Sequence, residues 1–261
     1  MAALAAPPSP VARSGVAYWA DGYWRIFVWD LTNLRILMPV VVSVLILQGA
    51  GFVVGIGLFF PHMPTEAAIY VVTGAPVFGL LTIGLILEPQ LVAAQRTEGS
   101  YEFLRSMPVP RTMMFLAWYT VSLIPALPAL TLAVVVGSAR YGLHLDVTPT
   151  VILAVLATSL TGTLIGYAVA HGIRNPMATQ LLSMILIFVI FGFSPIMFPA
   201  AQLPHWLAAA NLWFPFQAMA NVVRSSLVSG VATGVGRSYI VLACWAASSA
   251  ILAALAVGHR R

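Results

Sequence analysis

The sequence predicts an all-α polytopic membrane protein. It has six transmembrane helices, an N-terminal amphipathic interfacial helix, and a broken outer-leaflet helical hairpin between the fifth and sixth spans. Three observations carry that prediction. The 261-residue chain is 61% hydrophobic and only 7% charged, with a mean hydropathy of +0.96, whereas soluble domains are about 25% charged. Its six apolar runs are continuous and about 20 residues long or more. Aromatic residues recur at helical spacing just ahead of the first run. Across hydrocarbon only helices and closed barrels satisfy every backbone group. The runs are long and continuous where barrel strands would alternate, so helices are the solution.

Each element follows from local pattern. Met1–Ser14 is rich in Ala and Pro, with Pro7, Pro8 and Pro10 opposing a helix, so residues 1–17 read as a disordered tail. No signal peptide is expected, because the first long apolar run starts near Ile36, exceeds an h-region and lacks a cleavage site. Over residues 18–34, Trp19, Tyr23, Ile26, Phe27 and Leu34 recur on one side, while Asp21, Arg25, Asp30 and Asn33 occupy other faces. This amphipathic pattern predicts a helix in the cytoplasmic interface, where its aromatic load favours the headgroup region. Six spans follow, at about 36–60, 69–92, 113–138, 150–171, 177–198 and 238–258. Between the last two, Pro195, Pro199, Pro204 and Pro215 break an apolar connection into short helical pieces over 194–230. Such a segment dips into the outer leaflet and does not form a solvated loop.

All twelve basic residues are arginine. With the N-terminus inside, nine of them are cytoplasmic, and only Arg140, Arg224 and Arg237 lie outside, so both termini are expected in the cytoplasm. The absence of lysine removes the residue a Walker A loop needs to reach the β- and γ-phosphates, so this chain carries no such ATPase site. Schiff-base and Ser-Lys chemistry fall on the same ground. The net charge of +5 forms no basic stripe, which favours membrane orientation over nucleic acid. The sole cysteine, Cys244, sits in an apolar run and is expected in the core. The five histidines stand at span ends or loops without paired ligand spacing, so no metal is expected. Gly51 and Gly55, extended by Gly57, are a candidate seat for a close helix contact. Glu88, the only acid within a predicted span, stands near the span's inner end before Pro89 and Gln90. It reads as an interfacial carboxylate or as a candidate for the pathway or inner gate.

The densest charge lies between the second and third spans, over residues 95–111. A helix over Glu98–Met107 would place Glu98, Glu102 and Arg105 on one face. Carboxylates at i,i+4 repel by a few tenths of a kcal/mol. The helix N-terminus offsets part of that cost, and a cationic partner would remove the rest. The order Glu98-Gly99-Ser100-Tyr101-Glu102-Phe103-Leu104, then Met107-Pro108-Val109-Pro110-Arg111, resembles the coupling segment by which ATP-binding-cassette (ABC) exporter permeases grip their ATPase. Pro199, Leu203-Pro204-His205-Trp206-Leu207, Phe214-Pro215 and Arg224 resemble the outer hairpin of the same family. The resemblance is to ABC-2 permeases, the drug, lipid and polysaccharide exporters, and covers nearly the whole chain. Asn33-Leu34-Arg35-Ile36 departs from the basic aromatic motif of the polysaccharide branch, which leaves the drug-exporter branch closer.

That resemblance implies a permease domain over 35–261 that couples to ATPase through Glu98, Gly99, Tyr101, Glu102, Leu104, Arg105, Pro108 and Arg111. It implies an outer gate at Pro199, Pro204, Trp206, Phe214 and Pro215. The implied partners are two copies of an ABC ATPase subunit, a second permease half (identical or related) and membrane lipid. ATP and magnesium would be bound by the ATPase, and this chain would hold no cofactor. The implied activity is export of an amphipathic drug-like or lipid-like substrate by alternating access, in a bacterial inner (plasma) membrane. An ion- or proton-coupled secondary transporter is the alternative, but it calls for intramembrane acids or repeat-related broken helices. The spans offer Glu88 and no clear repeat. An intramembrane enzyme would need a nucleophile and base converging within the spans, and no such pair can be assembled.

Overall fold

The computed structural model describes residues 15–99, 109–173 and 175–258. Every regular element among them is helical, and six helices are long and apolar enough to cross a membrane. We number the elements α1 (Val16–Leu34), α2 (Met38–Phe59), α3 (Thr65–Thr97), α4 (Arg111–Tyr141), α5 (Thr150–Gly172), α6 (Pro176–Phe193), α7 (His205–Asn211), α8 (Pro215–Leu227) and α9 (Val235–Gly258). The spans are α2 to α6 and α9. Their alternation places residues 35–37, 98–99, 109–110, 173 and 175 at one end of the bundle, the terminal end. Residues 60–64, 142–149 and 194–234 lie at the other, the hairpin end.

Local chemistry sets the boundaries. Asn175 caps α6, its Oδ1 accepting from the backbone N–H of Met177 at 2.9 Å, which satisfies a donor that the first turn leaves orphaned. Gly142 ends α4 at φ 64°, the left-handed conformation a glycine adopts without steric cost. Two spans carry a π-turn, Leu47–Gly51 in α2 and Ile83–Leu87 in α3. Gln48 Nε2 donates to Thr82 Oγ1 at 2.8 Å, so the two irregular turns are joined by a polar contact.

The centre of the bundle is α3, which packs against α2, α4, α5, α6 and α8. Small residues make this possible. A Cβ on Gly166 of α5 would lie 1.7 Å from the Gly84 carbonyl oxygen, and one on Gly84 would lie 2.6 Å from the Gly162 carbonyl carbon. Backbone therefore meets backbone at this crossing. In lipid there is little hydrophobic gain in bringing helices together, and close approach through small residues replaces it. On the other side of α3, Val72 fills the space beside Gly137 of α4.

Several expectations are corrected by the packing. The buried line of α2 is Leu45, Gly49, Val53 and Gly57, and its close contacts are Gly49 against Ala133 and Gly57 against Tyr141. Gly51 and Gly55 lie on neighbouring faces and approach no other helix, because residues four apart from Gly49 share the buried face. Cys244 is exposed on α9 and is not a core residue, since α9 turns only one side toward α5 and α8. The fifth span ends at Phe193, short of the expected 198, because Ser194 adopts an extended conformation before Pro195. The second span is longer than expected, Thr65–Thr97 against 69–92.

Candidate functional site

At the terminal end, α3 stops at Glu98, whose φ of −84° and ψ of −9° cap the helix, and Gly99 comes next at φ 79°. Glu98 therefore completes α3, and the left-handed glycine ends that helix. The expected uninterrupted helix from Glu98, with Glu102 and Arg105 on its face, does not begin there. Tyr101, Glu102, Leu104, Arg105 and Pro108 lie outside the described residues. The chain is described again at Val109, and Arg111 opens α4. The Arg96 guanidinium donates to the Ile173 carbonyl, fastening the end of α3 to the connection between α5 and α6.

The amphipathic helix is attached to this same end. Gly22 of α1 leaves only 3.2 Å between a would-be Cβ and Val109 Cγ1, and Tyr23 donates its hydroxyl to Thr120 Oγ1 of α4 at 3.0 Å. Ile26 is buried one turn on. Asp30 stands one turn further along that face, and burial raises its pKa from 3.8 to about 7, because desolvation disfavours the charged carboxylate. Trp19 and Trp24 remain exposed, as an interfacial helix requires.

Glu88 is 2% exposed and stands directly after the π-turn of α3. The helix continues beyond it to Thr97, about 14 Å further at 1.5 Å per residue. It therefore lies inside the bundle, whereas the shorter expected span had placed it near the interface. Both carboxyl oxygens are buried, and the Trp118 indole N–H stands beside them as their hydrogen-bond donor, in a looser geometry than a well-formed bond.

At the hairpin end a single side chain holds three elements together. Arg224 of α8 is 1% exposed. Its Nε donates to Thr73 Oγ1 of α3 at 3.1 Å, its Nη2 to the Ile196 carbonyl at 2.6 Å, and its Nη1 to Asn221 Oδ1 at 3.4 Å. The guanidinium carbon lies 4.0 Å from the centre of the Tyr70 ring, an attraction that strengthens when desolvated. Burial lowers the Arg224 pKa to about 10, so the group stays cationic at neutral pH. No carboxylate pairs with it among the described residues. The turn after α6 reaches this position because Gly74 has no side chain: a Cβ there would meet the Ile196 oxygen at 2.7 Å.

The five residues expected at an outer gate all lie in this hairpin, in two groups. Pro199 precedes the 3₁₀ turn Ala200–Gln202, Pro204 precedes α7, and Pro215 opens α8; these prolines cut the hairpin into pieces. Trp206 and Phe214 are exposed, whereas Arg224 is buried. Phe214 stacks on Trp245 of α9 with centroids 6.2 Å apart, and Trp245 Nε1 donates to the Trp213 carbonyl at 2.8 Å. The partners of Arg224, namely Tyr70, Thr73 and Ile196, escape sequence reasoning. The available signal was an arginine directly after the apolar pair Val222-Val223.

The chain matches the family described as ABC-2 family transporter protein over residues 36–255. The chain belongs to the ABC-2 transporter family. The match runs from the start of α2 to near the end of α9 and so takes in all six spans, the terminal-end connection and the hairpin. This ABC-2 protein is a permease subunit of an ABC transporter and works with a separate ABC ATPase subunit. The hydrolytic site belongs to that partner. No curated protein matches the chain.

Proposed function

We propose that this permease exports an amphipathic drug-like or lipid-like substrate by alternating access, driven by two copies of its ATPase partner. The terminal end, with both termini, faces the cytoplasm of a bacterial cell, and the hairpin end faces outward. A second permease half, identical or related, completes the pathway, and the ATPase subunits supply bound ATP and magnesium. The observation that carries this reading is the attachment of α1 to α4 through Gly22–Val109 and Tyr23–Thr120. It links the interfacial helix to the exit of the segment 95–111, so motion imposed on that segment is transmitted to a span and to α1 together. Glu98, Gly99, Tyr101, Glu102, Leu104, Arg105, Pro108 and Arg111 form the receiving surface, and the hairpin with Pro199, Pro204, Trp206, Phe214 and Pro215 forms the outer gate. Glu88, buried beside the Trp118 indole and with no cation paired to it among the described residues, is suited to meet a cation carried by an amphipathic cargo or to take up a proton.

The test is Glu102→Arg in the full complex. A surface charge change costs within about ±0.5 kcal/mol of stability, whereas a mispaired buried interfacial charge costs about 2–5 kcal/mol of binding. Expression is expected to survive while recovery of the ATPase, or export, falls. Normal ATPase recovery together with normal export would remove Glu102 from the coupling surface.

A further inference from the structure

A second site lies at the hairpin end, between α7, α8 and the start of α9. It is a cavity of about 170 Å³ with Asn211, Gln217, Asn221, Thr233, Arg237 and Ser238 in its wall. A water occupies about 30 Å³ of liquid, so the space accommodates a polar group of several heavy atoms.

The wall is specific about what that group must be. Gln217 Oε1 is buried and accepts no hydrogen bond among the described residues, and an unmet acceptor is costly enough that native proteins leave few of them. Asn211 spends its amide hydrogens on the Phe193 and Leu207 carbonyls at 2.9 and 3.0 Å, so it has only its carbonyl oxygen left to offer. Gln217 Oε1 therefore awaits a donor, and the Asn211 carbonyl oxygen stands in the same wall. Arg237 contributes the cation: its guanidinium stands 5.7 Å from the Trp213 ring centre and pairs with no carboxylate among the described residues. The ligand must carry an anion and a hydrogen-bond donor together. Trp206, Trp213 and Phe214 are exposed around this end, and aromatic residues of this kind lie at headgroup level.

We propose that this cavity binds the headgroup of a glycerophospholipid of the ethanolamine or glycerol type. The phosphodiester pairs with Arg237, and the ammonium or hydroxyl donates to Gln217 Oε1 and the Asn211 carbonyl. Choline offers the same phosphate but no donor, so the site discriminates against it. Asn221 also bonds Arg224, which places the bound headgroup one side chain away from the knot that closes the hairpin. The proposal stands apart from the export reading, since it concerns occupancy and not transport.

The experiment uses the full-length permease, delipidated in detergent and titrated with phosphatidylethanolamine, phosphatidylglycerol or phosphatidylcholine. Retained lipid is counted by native mass spectrometry. The first two are expected to be retained at least tenfold better than phosphatidylcholine. Arg237→Ala, at an exposed position, should lower retention of all three, while Arg237→Lys restores part of it. Gln217→Leu should erase the advantage over phosphatidylcholine at an unchanged melting temperature of the lipid-free protein. Equal retention of the three lipids, or retention indifferent to Arg237→Ala, would overturn the proposal. Competition by soluble glycerophosphoethanolamine at concentrations equal to the lipid would overturn the lipid assignment in favour of a free phosphodiester.

Discussion

Helices α3 and α6 are equally apolar, yet 78% of the most apolar stretch of α3 is buried within the chain and only 17% of that of α6. Hydropathy therefore says which segments leave water, and nothing about which of them meet each other. Side-chain size at the closest crossings contributes to the difference. The buried face of α3 carries Thr73, Gly74, Ala75, Thr82 and Gly84, whereas α6 presents Leu181, Ile185, Phe188 and Phe191 outward. Lipid solvates the large side chains of α6 as well as protein would. Only small residues permit the backbone approach that makes a protein neighbour preferable.

The comparison breaks most decisively at Gly166. Adding a leucine there drives side-chain atoms into the Gly84 carbonyl, where even a Cβ would stand at 1.7 Å. The cost should exceed the roughly 1–3 kcal/mol of ordinary overpacking. Gly166→Leu is expected to yield no monodisperse permease on size exclusion, whereas Phe188→Ala on α6 should leave the monomer's melting temperature unchanged. Equal tolerance of both would end the argument from size.

Arg224→Ala tests whether polar contacts add to that packing. It leaves the Thr73 hydroxyl and the Ile196 carbonyl without their donor, and a buried group left unsatisfied costs about 1–3 kcal/mol. A fall in melting temperature and faster proteolysis within 194–230 are expected. Arg224→Lys should recover only part of the loss, because an ammonium cannot reproduce the planar fork. Unchanged proteolysis with Arg224→Ala would show that the glycine crossings alone hold the hairpin.

The smallest effect is expected at Asp30 on α1, because its side chain is only partly buried and solvent screening discounts the shift. Its folded pKa, about 7 against 3.8, means that the folded state holds the proton more tightly than the unfolded one. The stabilisation is complete below about pH 3.8 and is lost as the pH rises through about 7. Asp30→Asn should abolish this slope between pH 4 and 7 and leave the variant more stable than the parent at pH 8, read as melting temperature. A slope unchanged by the substitution would assign the titration elsewhere.

The six spans, the amphipathic helix and the proline-cut hairpin were legible because each depends on local composition and periodicity. Span ends shifted by up to five residues: polar residues continue α3 to Thr97, and α6 stops at Phe193 before the extended Ser194 and Pro195. Partner choice was not legible. Gly51 and Gly55 had the conventional spacing, yet Gly49, Gly84 and Gly166 made the contacts, and only three-dimensional register distinguishes them. Glu88 was seen as unusual, but its depth depended on the extra turns of α3. Arg224 was visible as a family-pattern residue, while Tyr70 and Thr73, more than 150 positions earlier, gave no sign of waiting for it.

The π-turn Ile83–Leu87 has a geometric consequence for α3. Such a turn holds one residue more than an α-turn, so it resets the angular phase of the helix by about 100°. Above it, the orientation of α3 is fixed by Gly74 and Thr73 against the hairpin; below it, Glu88 and Arg96 take their bearings afresh. Straightening the turn into α-helix with every residue kept would swing Glu88 about 100° away from Trp118, whereas deleting one residue within the turn would restore a continuous α-helix and keep Glu88 facing it. The two halves of α3 are thus one rod in length and two independent dials in azimuth.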